Sequence, residues 1–225
     1  MTRAGLVAAW RRVRQGLGAT STLGALALVV ALVPGLAEAA QLDRARAWAE
    51  PWRVVTAHLS HFTPSHLALD VIVLFALGLA CESRWPRRTR IGLAAAMLAC
   101  SAAFWFGAPE LATYRGLSGL DAMLFALLAA RLHVERAFRG RWTRALPSLA
   151  LAGFLAKIAF ELIAGVAPFA GGEGVFVPVP LAHLAGAAVG LAAALARRPT
   201  LVGSRDGDEK LGRALRRGEH PVGHR

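Results

Sequence analysis

Cysteine is nearly absent: Cys81 and Cys100 are the only two, and both fall inside apolar stretches. That leaves no disulfide framework and no thiol ligand spacing, so small buried hydrophobes are the expected role for both. Acidic residues are also scarce, 14 against 26 Lys and Arg, for a formal charge of +12. Such an excess would suit a nucleic-acid binder only if the basic residues formed one face. Here they lie between apolar runs, which excludes that class. No internal repeat is evident.

What is present is apolar mass. Hydrophobic residues make up 56% of the 225 positions, and mean hydropathy is +0.47. This is too apolar for an ordinary soluble domain and points to an all-α, polytopic membrane protein in contact with the lipid bilayer. Six apolar segments can be drawn, at 21–39, 66–82, 91–107, 117–133, 147–167 and 180–196. Each approaches the ~17–25 residues that span a bilayer.

The connectors alternate in charge. Residues 1–20, 83–90, 131–146 and 197–225 carry 21 of the 26 Lys and Arg. The positive-inside rule therefore predicts cytoplasmic termini. The expected organisation is a basic N-terminal segment over 1–20, a six-helix membrane domain over 21–197, and a charged tail over 198–225. That tail is poor in aromatics and is expected to be disordered. Ala37-Glu38-Ala39 after the first apolar run imitates a signal cleavage site, but five further spans with the same charge bias favour an uncleaved anchor. The outer connector 40–65 carries Trp48 and Trp52, suited to an interfacial loop. Residues 168–180, rich in Gly and Pro, read as a flap.

Four polar residues share a depth. At ~1.5 Å per residue, Ser118 lies about 20 Å from Arg131. His183 and Asp70 each lie about 21 Å from Arg197 and Arg84. Lys157 in the fifth segment is about 20 Å from Arg144, with Glu161 one turn on. Polar groups at membrane depth are costly and functional by default. Ser118, inside Gly116-Leu117-Ser118-Gly119 with Asp121 three residues on, has an ordinary reading as a helix N-cap. Its other reading is a nucleophile with His183 as base. No third residue to orient the imidazole is evident, so the expectation is a dyad, with Asp121 the weaker candidate for a third member. A metal site from His58, His61, His66 and Asp70 is disfavoured by their placement, and no cofactor is expected.

An ordered set of motifs resembles the rhomboid family of intramembrane serine proteases. It comprises Trp52-Arg53, His61-x4-His66-x3-Asp70, Glu82, Gly116-Leu117-Ser118-Gly119 and Ala182-His183-Leu184-Ala185-Gly186 with Gly190. The resemblance covers about residues 50–196. It implies Ser118 as nucleophile and His183 as general base, with His66, Asp70, Gly116 and the Ser118 N–H lining an oxyanion site. Asp70 stands where the family usually has Asn, and it could donate there only as the neutral acid. Ala122 stands where many members have an aromatic ring. Gly186 and Gly190, four apart, suit close packing of the last span.

Lys157 and Glu161 read either as a mutually neutralised pair or, with Trp52 and Arg53, as groups contacting substrate or supporting the site. The pair resembles the rhombosortase branch. That would imply a substrate with a C-terminal Gly-Gly membrane anchor, in the bacterial inner membrane, cut from the periplasmic side.

Overall fold

A computed structural model of the chain describes residues 18–135, 140, 143, 145–164 and 179–196. The basic stretch 1–17, most of the expected flap and the tail from 197 lie outside these residues, as do the depth markers Arg144 and Arg197. Within them the chain is mostly helical, with eight α-helices: α1 Gly18–Leu32, α2 Leu36–Ala40, α3 Arg53–Thr56, α4 Pro64–Glu82, α5 Pro86–Gly107, α6 Ser118–Val134, α7 Leu146–Ala164 and α8 Pro180–Leu195. A short 3-10 turn, Ala57–Leu59, follows α3. By length and composition α4, α5 and α7 can each cross a membrane, while α1 and α8 are shorter apolar helices. This is a membrane protein.

Local chemistry explains most helix ends. Thr63 caps α4, its hydroxyl accepting the His66 N–H at 3.1 Å, and Pro64 stands first in the helix. Proline also opens α5 at Pro86. Both use a position whose N–H would have no intrahelical acceptor. The first apolar segment departs from expectation. The run 21–39 is not one helix: α1 ends at Leu32, because Pro34 cannot continue it and Gly35 turns the chain at φ 77°.

That helix is nonetheless part of the bundle. Glu82 Oε1, at the far end of α4, accepts the N–H groups of Ala19 and Thr20, each at 3.0 Å. A buried carboxylate thus completes two amides that a helix start leaves open and meets the positive end of its dipole. Gly78 admits the crossing, since a Cβ there would fall 2.5 Å from the Thr20 side chain.

The connector between α1 and α4 is folded. Its strand β1, Leu42–Asp43, pairs antiparallel with β2, Thr113–Tyr114, matching Leu42 to Tyr114. Arg44 reaches the open end of α5, donating to the carbonyls of Phe104, Trp105, Ala108 and Leu111 at 2.7–2.9 Å. Its guanidinium also lies over the Phe104 ring. Arg115 donates to Gln41 Oε1 and to the His61 carbonyl. Trp48 and Trp52 are exposed.

Helix α6 is the core. Leu120, Met123, Leu124 and Leu127 are buried in one cluster with Leu74 of α4, Leu93 of α5 and Ala194 of α8. Cys81 and Cys100 are free and fully buried, as expected. Helix α7 is peripheral. Pro147, Ile158 and Glu161 are its buried residues, while Leu149, Phe160 and Ile163 face outward.

Candidate active site

Two helices run side by side and in the same direction to make the site. A Cβ on Gly186 of α8 would fall 1.9 Å from the Gly119 carbonyl oxygen, and one on Gly190 would fall 2.2 Å from that of Met123. The matching four-residue steps fix the register of α8 on α6. With no side chain at either glycine the backbones touch, as small residues permit. Ser118, the first residue of α6, and His183, in the first turn of α8, then meet: His183 Nε2 lies 2.9 Å from Ser118 Oγ. Both side chains are half-buried.

This corrects the capping reading of Ser118. Leu117 holds the cap position and makes no side-chain cap bond, and the Ser118 hydroxyl is turned to the imidazole instead. Asp121 is buried one turn below, with its Oδ1 making no hydrogen bond.

The segment before the serine is held on several sides. Gly116 adopts φ 124°, a region that side chains disfavour. A Cβ there would also fall 3.0 Å from the His66 ring. The Gly116 N–H donates to the Ala57 carbonyl at 3.2 Å, and the next amide, Leu117 N–H, donates to Asp70 Oδ2 at 3.1 Å. The same oxygen faces His61 Nε2 at 3.2 Å and His66 Nε2 at 3.3 Å. Asp70 Oδ2 is thus an acceptor, tied into the loop that presents the serine. That oxygen therefore does not supply the donor that a neutral acid would need. The physical reason is the Leu117 amide, which can only give a hydrogen.

His58 stands apart from this cluster. Its Nε2 lies 2.9 Å from the Met97 carbonyl and its Nδ1 lies 3.4 Å from that of Gly116. Burial pushes its pKa down to about 4, only partly offset by these backbone contacts, so the ring is neutral at pH 7. Among the described residues, no group of three His, Cys, Asp or Glu is placed to hold a metal ion.

Trp52 and Arg53 occupy the connector. Arg53 is buried, ion-paired to Glu50 and bonded to the carbonyls of Glu38 and Gln41 at 2.8 Å. It braces the connector. Lys157 and Glu161 meet as an ion pair, Nζ to Oε1 at 2.8 Å. The other Glu161 oxygen, Oε2, lies 3.7 Å from His183 Nδ1.

In the sequence alone no third residue beside His183 is evident. The acid that faces the ring sits on α7, and Asp121 does not take that place. The signal was present in two charges inside an apolar run at the depth of the serine. What depth could not supply was the rotation of α7 about its axis.

Residues 49–200 match the family model described as the Rhomboid domain. No curated protein matches the chain.

Proposed function

Because this chain belongs to the rhomboid family, whose members are generally intramembrane serine proteases, we propose that it is an intramembrane endopeptidase acting through Ser118 and His183. The observation that carries this reading is the 2.9 Å contact between Ser118 Oγ and His183 Nε2, made by residues from two separate helices. Hydroxyl and base within hydrogen-bond reach are what an activated nucleophile requires.

In the proposed reaction, Ser118 Oγ attacks the scissile carbonyl while its proton passes to His183 Nε2. The C–O bond forms as the carbonyl π pair moves to oxygen. The tetrahedral species collapses, breaking the C–N bond, and the amine leaves with the proton from Nε2. Water, deprotonated by the same nitrogen, then attacks the acyl-enzyme and expels Ser118, which regains the proton. The oxyanion would be met by the amide of Ser118, one of the helix-start N–H groups without an intrahelical acceptor, and by His66.

Six of the helices, α1 and α4–α8, correspond to the six apolar segments, and we read them as six spans with both termini cytoplasmic. The supporting pattern is the Arg-rich set of connectors on one side. In that orientation the helix starts at Ser118 and His183 lie below the outer surface, open to the periplasmic side of an inner membrane. The Lys157–Glu161 pair supports the rhombosortase-like branch. Its substrate class would be exported proteins held by a C-terminal Gly-Gly-containing anchor, an apolar helix and a basic tail. Glycine near the cut weakens the helix, which must open before its carbonyl is accessible.

A second reading is a rhomboid-like protein that binds membrane clients without cutting them. Asp70 favours it, an acceptor where the family usually has Asn.

The test is a tagged Gly-Gly anchor reporter co-expressed with wild type, Ser118→Ala or His183→Ala. Cleavage by wild type and its loss in both variants is expected. Equal cleavage by either variant removes the dyad, and no Ser118-dependent labelling by a fluorophosphonate leaves the client-binding reading in its place.

A further inference from the structure

For Nε2 of His183 to accept the serine proton, the neutral ring must carry its hydrogen on Nδ1. That nitrogen is buried and makes no hydrogen bond, and it faces Glu161 Oε2, which is also buried and makes none. A donor and an acceptor, each costly to leave unsatisfied, are thus aimed at one another across two helices. Their 3.7 Å separation is a small side-chain adjustment from a hydrogen bond. Catalytic contacts of this kind commonly tighten only when substrate is bound.

The rest of the carboxylate is anchored. Lys157 Nζ holds Oε1 at 2.8 Å from the same helix, leaving Oε2 for the ring. Mutual neutralisation accounts for the Lys157 contact. It does not account for the second oxygen of the acid facing an imidazole on another helix. Nor is local helix stabilisation the reason for the pair, since Lys preceding Glu is the weaker order.

We propose that Glu161 is a positioning residue for His183. Its Oε2 takes the Nδ1 hydrogen, holds the ring in the tautomer that leaves Nε2 free for Ser118, and faces the imidazolium formed when the proton moves. Lys157 fixes the carboxylate. The chain then carries an ordered relay Lys157–Glu161–His183–Ser118, with the acid supplied by α7 rather than by the nucleophile's own helix. This rests on the reading of Ser118 and His183 as the reacting pair.

The experiment measures the rate of fluorophosphonate labelling of full-length protein in detergent, split into maximal rate and half-saturating concentration. Wild type is compared with Ser118→Ala, His183→Ala, Glu161→Gln and the double variant Lys157→Met/Glu161→Leu. The double variant removes both charges and keeps apolar volume, a replacement that buried ion pairs commonly tolerate. It serves where Glu161→Gln leaves Lys157 unpaired and does not fold.

If the pair is only neutralised packing, the double variant labels like wild type, and the proposal is overturned. If Glu161 positions the ring, the double variant melts like wild type, yet its maximal rate falls at least ~100-fold with little change in half-saturation. Removing the orienting acid of a Ser-His-Asp site is the precedent, at ~10⁴-fold. In that case the ¹⁵N signals of His183 also show the hydrogen moving off Nδ1 for part of the population. Unchanged ¹⁵N signals together with an unchanged rate overturn the proposal while leaving the Ser118 and His183 controls intact. Failure of wild type itself to label would instead sink the protease reading, and this inference with it.

Discussion

Gly186 of α8 rests against the carbonyl of Gly119 on α6 so closely that even a methyl group would fall 1.9 Å from the oxygen. One residue before Gly119 is the serine, and three before Gly186 is the histidine. The contact that packs the two helices is therefore also the contact that sets the distance between Ser118 Oγ and His183 Nε2.

Gly186→Ala is expected to be more damaging than an ordinary small-to-large change, because the obstacle is backbone and cannot rotate away. Overpacking costs ~1–3 kcal/mol in typical cores, and this site should reach the upper end or beyond. The thermal midpoint in detergent should fall, and fluorophosphonate labelling of whatever folds should fall with it. A variant with wild-type melting and wild-type labelling would show that α8 does not sit at this register.

Asp70 holds the serine loop through Leu117 and meets two histidines. Asp70→Ala takes this acceptor from the buried Leu117 amide and the buried His61 ring, a loss of about 3 kcal/mol by analogy with broken buried pairs. Asp70→Asn retains one oxygen for the Leu117 amide, so about 1 kcal/mol is expected, the net worth of a typical hydrogen bond. Denaturation of the three proteins in one detergent gives the order directly: wild type, then Asn, then Ala. An Ala variant as stable as Asn would mean the loop does not depend on this acid.

His58 gives a pH dependence with a defined sign. Its folded pKa, about 4, lies below the ordinary 6.5 because burial disfavours the charged ring. Between those values the unfolded chain binds the proton and the folded chain does not, so stability falls as pH drops through that window. The full effect is about 3 kcal/mol, at ~1.36 kcal/mol per unit. It is present above pH 6.5 and lost on the way down to 4. Unfolding measured from pH 7.5 to 4.5 should show this slope, with a shallower one in His58→Gln. A His58→Gln slope equal to wild type would assign the effect to other groups.

Much of this fold was legible because membrane helices are written in hydropathy. The segments 66–82, 117–133 and 180–196 fall within about a turn of α4, α6 and α8, while α5 begins at Pro86, ahead of the segment 91–107. The first segment was legible as apolar but not as two pieces, since a hydropathy run passes over the local break at Pro34 and Gly35. The connector 40–65 was harder. Its order comes from Arg44, Arg53 and Arg115 reaching carbonyls distant in sequence, and no local pattern marks such partners.

The site divides in the same way. Motif order and depth brought Ser118 and His183 to one level, and those are properties of position along an axis. The facing of Glu161 toward His183 depends on how α7 is turned about that axis. The use of Asp70 as an acceptor depends on one backbone amide, at Leu117. Neither is encoded in spacing.

The carboxylate of Glu82 has a consequence for biogenesis. It completes the amides of Ala19 and Thr20, groups that leave the ribosome 62 or more positions before it does. Helix α1 is made early, but its two amides lack this acceptor until α4 has been made to its last residue. Completion of the α1 start is thus a late event in synthesis, timed by a residue that helix does not contain.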